Sequence, residues 1–336
     1  MRQRCLLVAA LIALASPAAA QDNAGYTWTS DRPDGIASAG VTGDRILPLG
    51  ALEVTYRFRR MSFDAVQVGT LPVDPLDVLD NYSTTPFERT DRINDLVLAY
   101  GASDRLTLLG TASWVDRNRS IANEEFFVST TASGISDIEV QGLYDVFSQG
   151  AVRVHFHGGV EVPVGSTDKR GDLLEVQDQV LPYEMQPGSG SWSVIPGVTA
   201  QIQNEHGTVG AQFLGRIRLN DNDRGYRLGD QVEGAAWLEY MMNSTFALTS
   251  GARFRSWGSI EGVDAALDPT RDPGEDAVFS GGEEVDVPLG LNIYMRQGPL
   301  QGHRISAEFV FPVHQDFDTA RLAGNWGFTL SWRKTF

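Results

Sequence analysis

Stretches of about ten residues in which apolar and polar side chains alternate recur from Leu52 to the final residue, and the connections between them are short and long by turns. In the first stretch Leu52, Val54, Tyr56 and Phe58 share one parity, while Glu53, Thr55, Arg57 and Arg59 share the other. That period of two belongs to a strand with one apolar and one polar face. Paired stretches follow at 93–101 with 106–115, 137–147 with 152–162, 192–203 with 208–219, 231–240 with 246–256, and 284–295 with 304–313. A last strand, 325–336, is left to pair with the first. One strand, five pairs and a final strand make twelve, an even count that suits a single-chain antiparallel barrel. The longer connections are 61–92, 116–136, 165–191, 220–230, 257–283 and 314–324. A soluble two-sheet sandwich also repeats short strands, but nothing in its construction requires this rhythm. The expected fold is therefore all-β: a 12-stranded antiparallel transmembrane barrel with short periplasmic turns and long extracellular loops.

Residues 1–20 read as a secretory signal peptide, with basic Arg2 and Arg4, an apolar run over 6–15, and Ser16-Pro17-Ala18-Ala19-Ala20 before Gln21. The apolar run is shorter than the roughly 20 residues a spanning helix needs. Cys5 leaves with this segment, so disulfides, thiolate metal sites and a cysteine nucleophile are excluded from the mature chain. Thirty-five glycines, 10% aromatics, a mean hydropathy of -0.18 and no second long apolar run exclude a helical membrane protein. The net charge of -16 becomes -18 without Arg2 and Arg4, which argues against nucleic acid as a partner. Residues 21–50 have no clear period and carry turn signals such as Asp31-Arg32-Pro33-Asp34-Gly35, so a periplasmic or lumen-inserted segment is expected there, ahead of a barrel over 51–336.

In the last strand Trp326, Phe328, Leu330, Trp332 and Phe336 oppose Gly327, Thr329, Ser331, Arg333 and Thr335, and the chain ends on the aromatic ring of Phe336. It resembles the closing strand of a Gram-negative outer-membrane β-barrel, whose terminal aromatic belongs to the assembly signal. The resemblance implies a cell outer membrane location, with lipid, lipopolysaccharide and the barrel assembly machinery as partners. Lys334 departs from the pattern by sitting on the apolar parity, where a long stem can carry the charge to the interface.

Assigning the polar parity to the lumen gives ten acids: Glu53, Asp95, Glu139, Asp145, Glu161, Glu233, Glu239, Glu284, Asp286 and Glu308. The bases are the nine arginines Arg57, Arg59, Arg153, Arg216, Arg218, Arg253, Arg255, Arg304 and Arg333. Arginine forms forked pairs with carboxylates, so an interleaved ion-pair lining is expected rather than a wide pore of one sign. Two readings stand side by side. Either the lining is structural, or it is the selectivity element of a narrow pathway for a small solute. Because twelve strands enclose more space than eight, the balance tips toward a channel unless 21–50 or a long loop fills it.

His155 and His157 share the inward parity, flanking Phe156, but spacing shows no third metal ligand, so a hydrogen-bonded lumen pair is expected and no metal or cofactor. His314, Asp316 and Asp318 have the residue types of a hydrolase cluster at an extracellular rim, and they keep an enzyme reading open as an alternative. Acidic residues such as Asp264, Asp268 and Asp272 lack the ordered spacing of a calcium loop. A structural or adhesive barrel with a plugged lumen is the third reading.

Asp31-Arg32-Pro33-Asp34-Gly35 with Gly40-Val41-Thr42-Gly43-Asp44, then 181–190 (Leu-Pro-Tyr-Glu-Met-Gln-Pro-Gly-Ser-Gly), and Tyr226-Arg227-Leu228-Gly229-Asp230 carry a further resemblance. The chain resembles the outer-membrane barrels grouped with the phenol-degradation meta-pathway proteins, which are held to be transporters. That resemblance implies passive uptake of a small organic solute, aromatic or hydrophobic in character. Some similar chains are rich in His and Met near the Gly-Asp step. Here Arg45 follows Asp44, and no metal role carries over.

Overall fold

The computed structural model describes residues 26–174 and 176–336, so the expected signal peptide at 1–20 lies outside the described residues. Eleven strands close one antiparallel barrel. They are β1 (Leu52–Gly69), β3 (Thr85–Ser103), β4 (Leu106–Ala122), β6 (Ile138–Gln149), β7 (Val152–Val162), β10 (Ser193–Gln203), β11 (Gly207–Arg218), β13 (Gln231–Met241), β14 (Phe246–Trp257), β16 (Gly282–Tyr294) and β17 (His303–Thr335). Each pairs with its neighbour in sequence order, and β17 returns to β1 through Glu53 opposite Thr335. Closure leaves no edge strand in need of cover. Two short strands, β2 (Leu71–Val73) and β5 (Phe127–Ile135), pair with β1 and β4 outside the closed ring. Four more form two small two-stranded sheets in the long connections: the hairpin β8 (Arg170–Leu173) with β9 (Val176–Val180), and β12 (Tyr226–Arg227) with β15 (Glu261–Gly262), which joins two different connections.

The strand count differs from the expected twelve. Residues 314–324, read as an extracellular loop, are part of β17, which runs unbroken for 33 residues. Its first arm pairs with β16 from Arg304 to Phe317, and its second pairs with β1 from Phe317 to Thr335. The polar composition of 314–324 suggested a loop, but β1 and β16 rise high enough to satisfy its backbone donors and acceptors, so the extended conformation persists. Similarly, β1 extends to Gly69, β3 begins at Thr85 and β4 ends at Ala122, all inside segments expected to be loops.

Burial runs opposite to that of a soluble barrel. Glu308 and Asp95 are buried on the inward face while Phe309, Tyr56, Leu98 and Phe156 are exposed on the outward face. The interior is not wholly polar. Leu47 packs against Val97, Ala99, Leu109 and Leu143, which tie the amino-terminal segment to the wall.

Candidate functional site: a charged chamber between plug and cap

Residues 26–50 cross the lumen at the short-turn end, where inward side chains of the wall satisfy their backbone. The Thr29 amide donates to Gln203 Oε1 at 2.9 Å, and the Leu47 amide to Thr107 Oγ1 at 2.8 Å. The Thr208 hydroxyl donates to Asp34 Oδ2 at 3.1 Å, and Gln212 Nε2 donates to the Thr42 carbonyl at 2.9 Å. Asp44 is the ionic anchor. It accepts from the Ala37 amide at 2.9 Å and pairs with Arg333 of β17 at 2.8 Å. Burial pushes its carboxyl upward, but Arg333 and Arg45 outweigh that and hold it at about 2. Glu53 completes the group by pairing with Arg45. The plug lies so close to the wall that a Cβ on Gly101 would sit 1.9 Å from the Pro48 carbonyl oxygen.

At the other end two loop segments fold into the mouth. The 3₁₀ turn Tyr183–Met185 brings Glu184 among wall arginines: Arg89 of β3 at 2.6 Å, Arg119 of β4 at 3.1 Å and Arg321 of β17 at 3.6 Å. Burial raises the Glu184 carboxyl, and Arg89, Arg119 and Arg321 together bring it down to about 2. The second 3₁₀ turn, Pro273–Glu275, follows Asp272, whose two oxygens take both terminal nitrogens of Arg119 at 2.7 and 2.9 Å. Such a forked pair is among the stronger polar contacts available to a loop. Tyr183 stacks edge-on against Tyr226 with centroids 4.7 Å apart, and its hydroxyl accepts from the Asp264 amide at 3.0 Å.

Between plug and cap lies a cavity of about 530 Å³, floored by Gly40 and Val41, roofed by Tyr183, Glu184 and Gly274, and walled by Arg59, Arg117, Arg253, Arg255, Glu233 and Asp286 among others. Its volume falls in the range of small-molecule sites, roughly 300–1,000 Å³.

The inward parity read from sequence places its residues in three groups. Arg57 and Arg59 both grip Asp95, and Arg57 reaches Thr42 of the plug at 2.8 Å. Arg216 pairs with Glu139 and Glu161, and Arg218 pairs with Glu161. Around the chamber Arg253 pairs with Glu308, and Arg255 with Glu284. Glu233 accepts from Gln231 at 2.5 Å, and Asp286 Oδ1 is buried without a hydrogen-bond partner. The remaining candidates face the plug. Arg304 donates to the Arg32 and Ser30 carbonyls, Glu239 accepts from Asn292 at 3.1 Å, and Arg153 sits over Trp28 at 5.7 Å. The two histidine rings are 5.1 Å apart. His155 Nε2 meets the Gly43 carbonyl at 2.9 Å, and His157 Nε2 meets Thr199 Oγ1 at 2.8 Å. These hydrogen bonds account for the pair as lumen residues seated against the plug. Phe336 is exposed, with its backbone hydrogen-bonded to Leu52. Lys334 donates to the Gln301 carbonyl at 2.6 Å.

The rim cluster takes a different form from the one expected. His314 is on a strand rather than a loop, and its Nε2 approaches Glu283 of β16 at 3.7 Å. Sequence reasoning missed the cap arginines, because Arg89, Arg119 and Arg321 were assigned to loops. The pairing of β3 with β4 carries the inward parity from Asp95 back to Arg89 and from Thr111 on to Arg119, but Ile93 and Val115 interrupt its polar run in the sequence.

No family model matches the sequence, and no characterised protein matches it in sequence. Similar solved structures do exist. The crystal structure of an outer membrane channel from Pseudomonas putida F1 superposes with a TM-score of 0.60 at 14% identity, covering 88% of this chain and 99% of that one. The chain therefore shares its fold. The toluene transporter TbuX of Ralstonia pickettii matches at a TM-score of 0.43 and 10% identity, covering 91% and 98%. The toluene transporter TodX of P. putida matches at 0.42 and 12%, covering 94% and 99%.

Proposed function

We propose that this chain is an outer-membrane barrel whose two β17 arms each cross the membrane, giving twelve crossings, and that it admits a small organic solute by passive diffusion through the charged chamber. The observation that carries the reading is the chamber itself: a cavity of about 530 Å³ bordered at its two ends by chain segments, Gly40 and Val41 on one side and Tyr183, Glu184 and Gly274 on the other. A barrel built only for shape would fill its interior with mutually packed side chains. The Arg and acid pairs of the wall, such as Arg253 with Glu308 and Arg255 with Glu284, act as the selectivity lining. The apolar outward belt faces lipid, the acidic loops face lipopolysaccharide, and Phe336 is offered to the assembly machinery. The P. putida F1 protein is an outer membrane channel, and its shared fold supports this reading.

Passage requires the plug and cap to shift. Purified full chain in planar bilayers and swelling liposomes tests this. Small, flickering conductance and slow solute flux are expected from the full chain, and a much larger, steady conductance from a chain lacking 26–50. Silence in both preparations removes the channel reading.

A further inference from the structure

The cap is held by a carboxylate that fits its site poorly. Glu184 makes one good hydrogen bond, from Arg89 Nη1 at 2.6 Å, while its contacts with Arg119 Nε at 3.1 Å and Arg321 at 3.6 Å are ionic and lack hydrogen-bond alignment. The three arginines come from three different wall strands, so the wall holds them together whether or not the loop is present. Aromatic rings flank them. The Arg89 guanidinium lies 4.0 Å from the Phe63 ring centre, and Arg321 lies 5.4 Å from Trp257 and 5.9 Å from Phe317. All of these residues border the chamber.

We infer that Arg89, Arg119 and Arg321 form a binding site for an aromatic monocarboxylate, which Glu184 of the cap occupies until a solute carboxylate displaces it. A free carboxylate is not tethered to the loop, so it can turn to align with Arg119 and Arg321, which Glu184 meets only at 3.1 and 3.6 Å without hydrogen-bond alignment, and its ring lies against Phe63 or Trp257. Displacement frees the Tyr183–Met185 turn, so binding and opening of the cap are one event. The inference rests on the channel reading above and names its solute class.

Calorimetry on the purified full chain tests it, with benzoate as the probe and benzyl alcohol as the neutral control of similar shape. Glu184→Gln removes the competing charge, so benzoate should bind about tenfold more tightly while benzyl alcohol is unchanged. Adding Arg89→Gln should abolish the gain. If Glu184→Gln does not fold, hydrogen exchange on the wild-type chain serves instead: benzoate, but not benzyl alcohol, should speed exchange of the Met185 and Gln186 amides, which donate to Pro182 and Tyr183. Equal behaviour of the two probes overturns the site. A chain that conducts yet treats both probes alike loses this inference alone. One that binds benzoate as described but passes nothing loses only the channel reading.

Discussion

Asp44 illustrates how one plug residue can be both buried and charged. Desolvation alone would neutralise a fully enclosed carboxyl, and it stays ionised because Arg333 and Arg45 are within reach. Its folded value, about 2, lies below its ordinary one. Its contribution to seating the plug is therefore present above about pH 4 and is lost as pH falls toward 2. Pepsin should cut within 26–50 at pH 2 to 3 and leave the segment intact at pH 5, as read by mass spectrometry. Asp44→Asn should lose much of that difference. Gly43 next door holds φ at 70°, and a Cβ there would meet His157 Cε1 at 2.9 Å. Gly43→Ala should destabilise the seated plug by about 1–2 kcal/mol, seen as cleavage of 26–50 already at pH 5. In sequence the Gly43-Asp44 step belongs to a stretch that carries the family resemblance, but nothing there marks Asp44 as an ionic anchor. Asp44 became identifiable only when the wall brought Arg333 to it from 289 positions away.

For whole elements, the alternation marked where strands meet the apolar belt rather than where they end. On β3 the outward residues above Leu96 are Asn94 and Arg92, and on β4 Asp116 and Asn118 follow Trp114, yet pairing of these two strands continues to Thr85 and Ala122. Hydrophobic periodicity reports what a side chain faces, whereas a strand persists as long as a neighbour takes its backbone hydrogen bonds. That difference hid the cap arginines, because they sit on the part of the strands above the belt. The plug likewise has no period, since it is an irregular segment whose partners are supplied by the wall. Its apolar foothold is Leu47 among Val97, Ala99, Leu109 and Leu143. Leu47→Ala should weaken that foothold by about 2–5 kcal/mol, and the variant should show larger and longer openings in single-channel records than the parent chain.

Across the whole molecule, the inversion of burial makes the outer and inner faces respond oppositely to charge. Arg57 is satisfied by Asp95 and Thr42 inside, while Leu98 is exposed on the outward face of β3. Leu98→Arg should cost about 2–4 kcal/mol of folding stability in lipid bilayers and little in the detergent-free unfolded reference, measured by urea-dependent refolding into vesicles. A smaller penalty, equal to that of a rim position such as Leu71→Arg, would mean that this belt does not face hydrocarbon.

The residue alternation and the rhythm of connections by themselves determined an all-β barrel with charged, arginine-rich positions inward, because parity along a strand is a local property that needs no partner to define it. Local pattern could not decide that 314–324 stays in register between β1 and β16, that 26–50 and 181–190 converge on one chamber from opposite ends, or that Glu184 meets three arginines. Those outcomes depend on strand length and closure, which fix distances between residues far apart in sequence, and only the folded cylinder sets them.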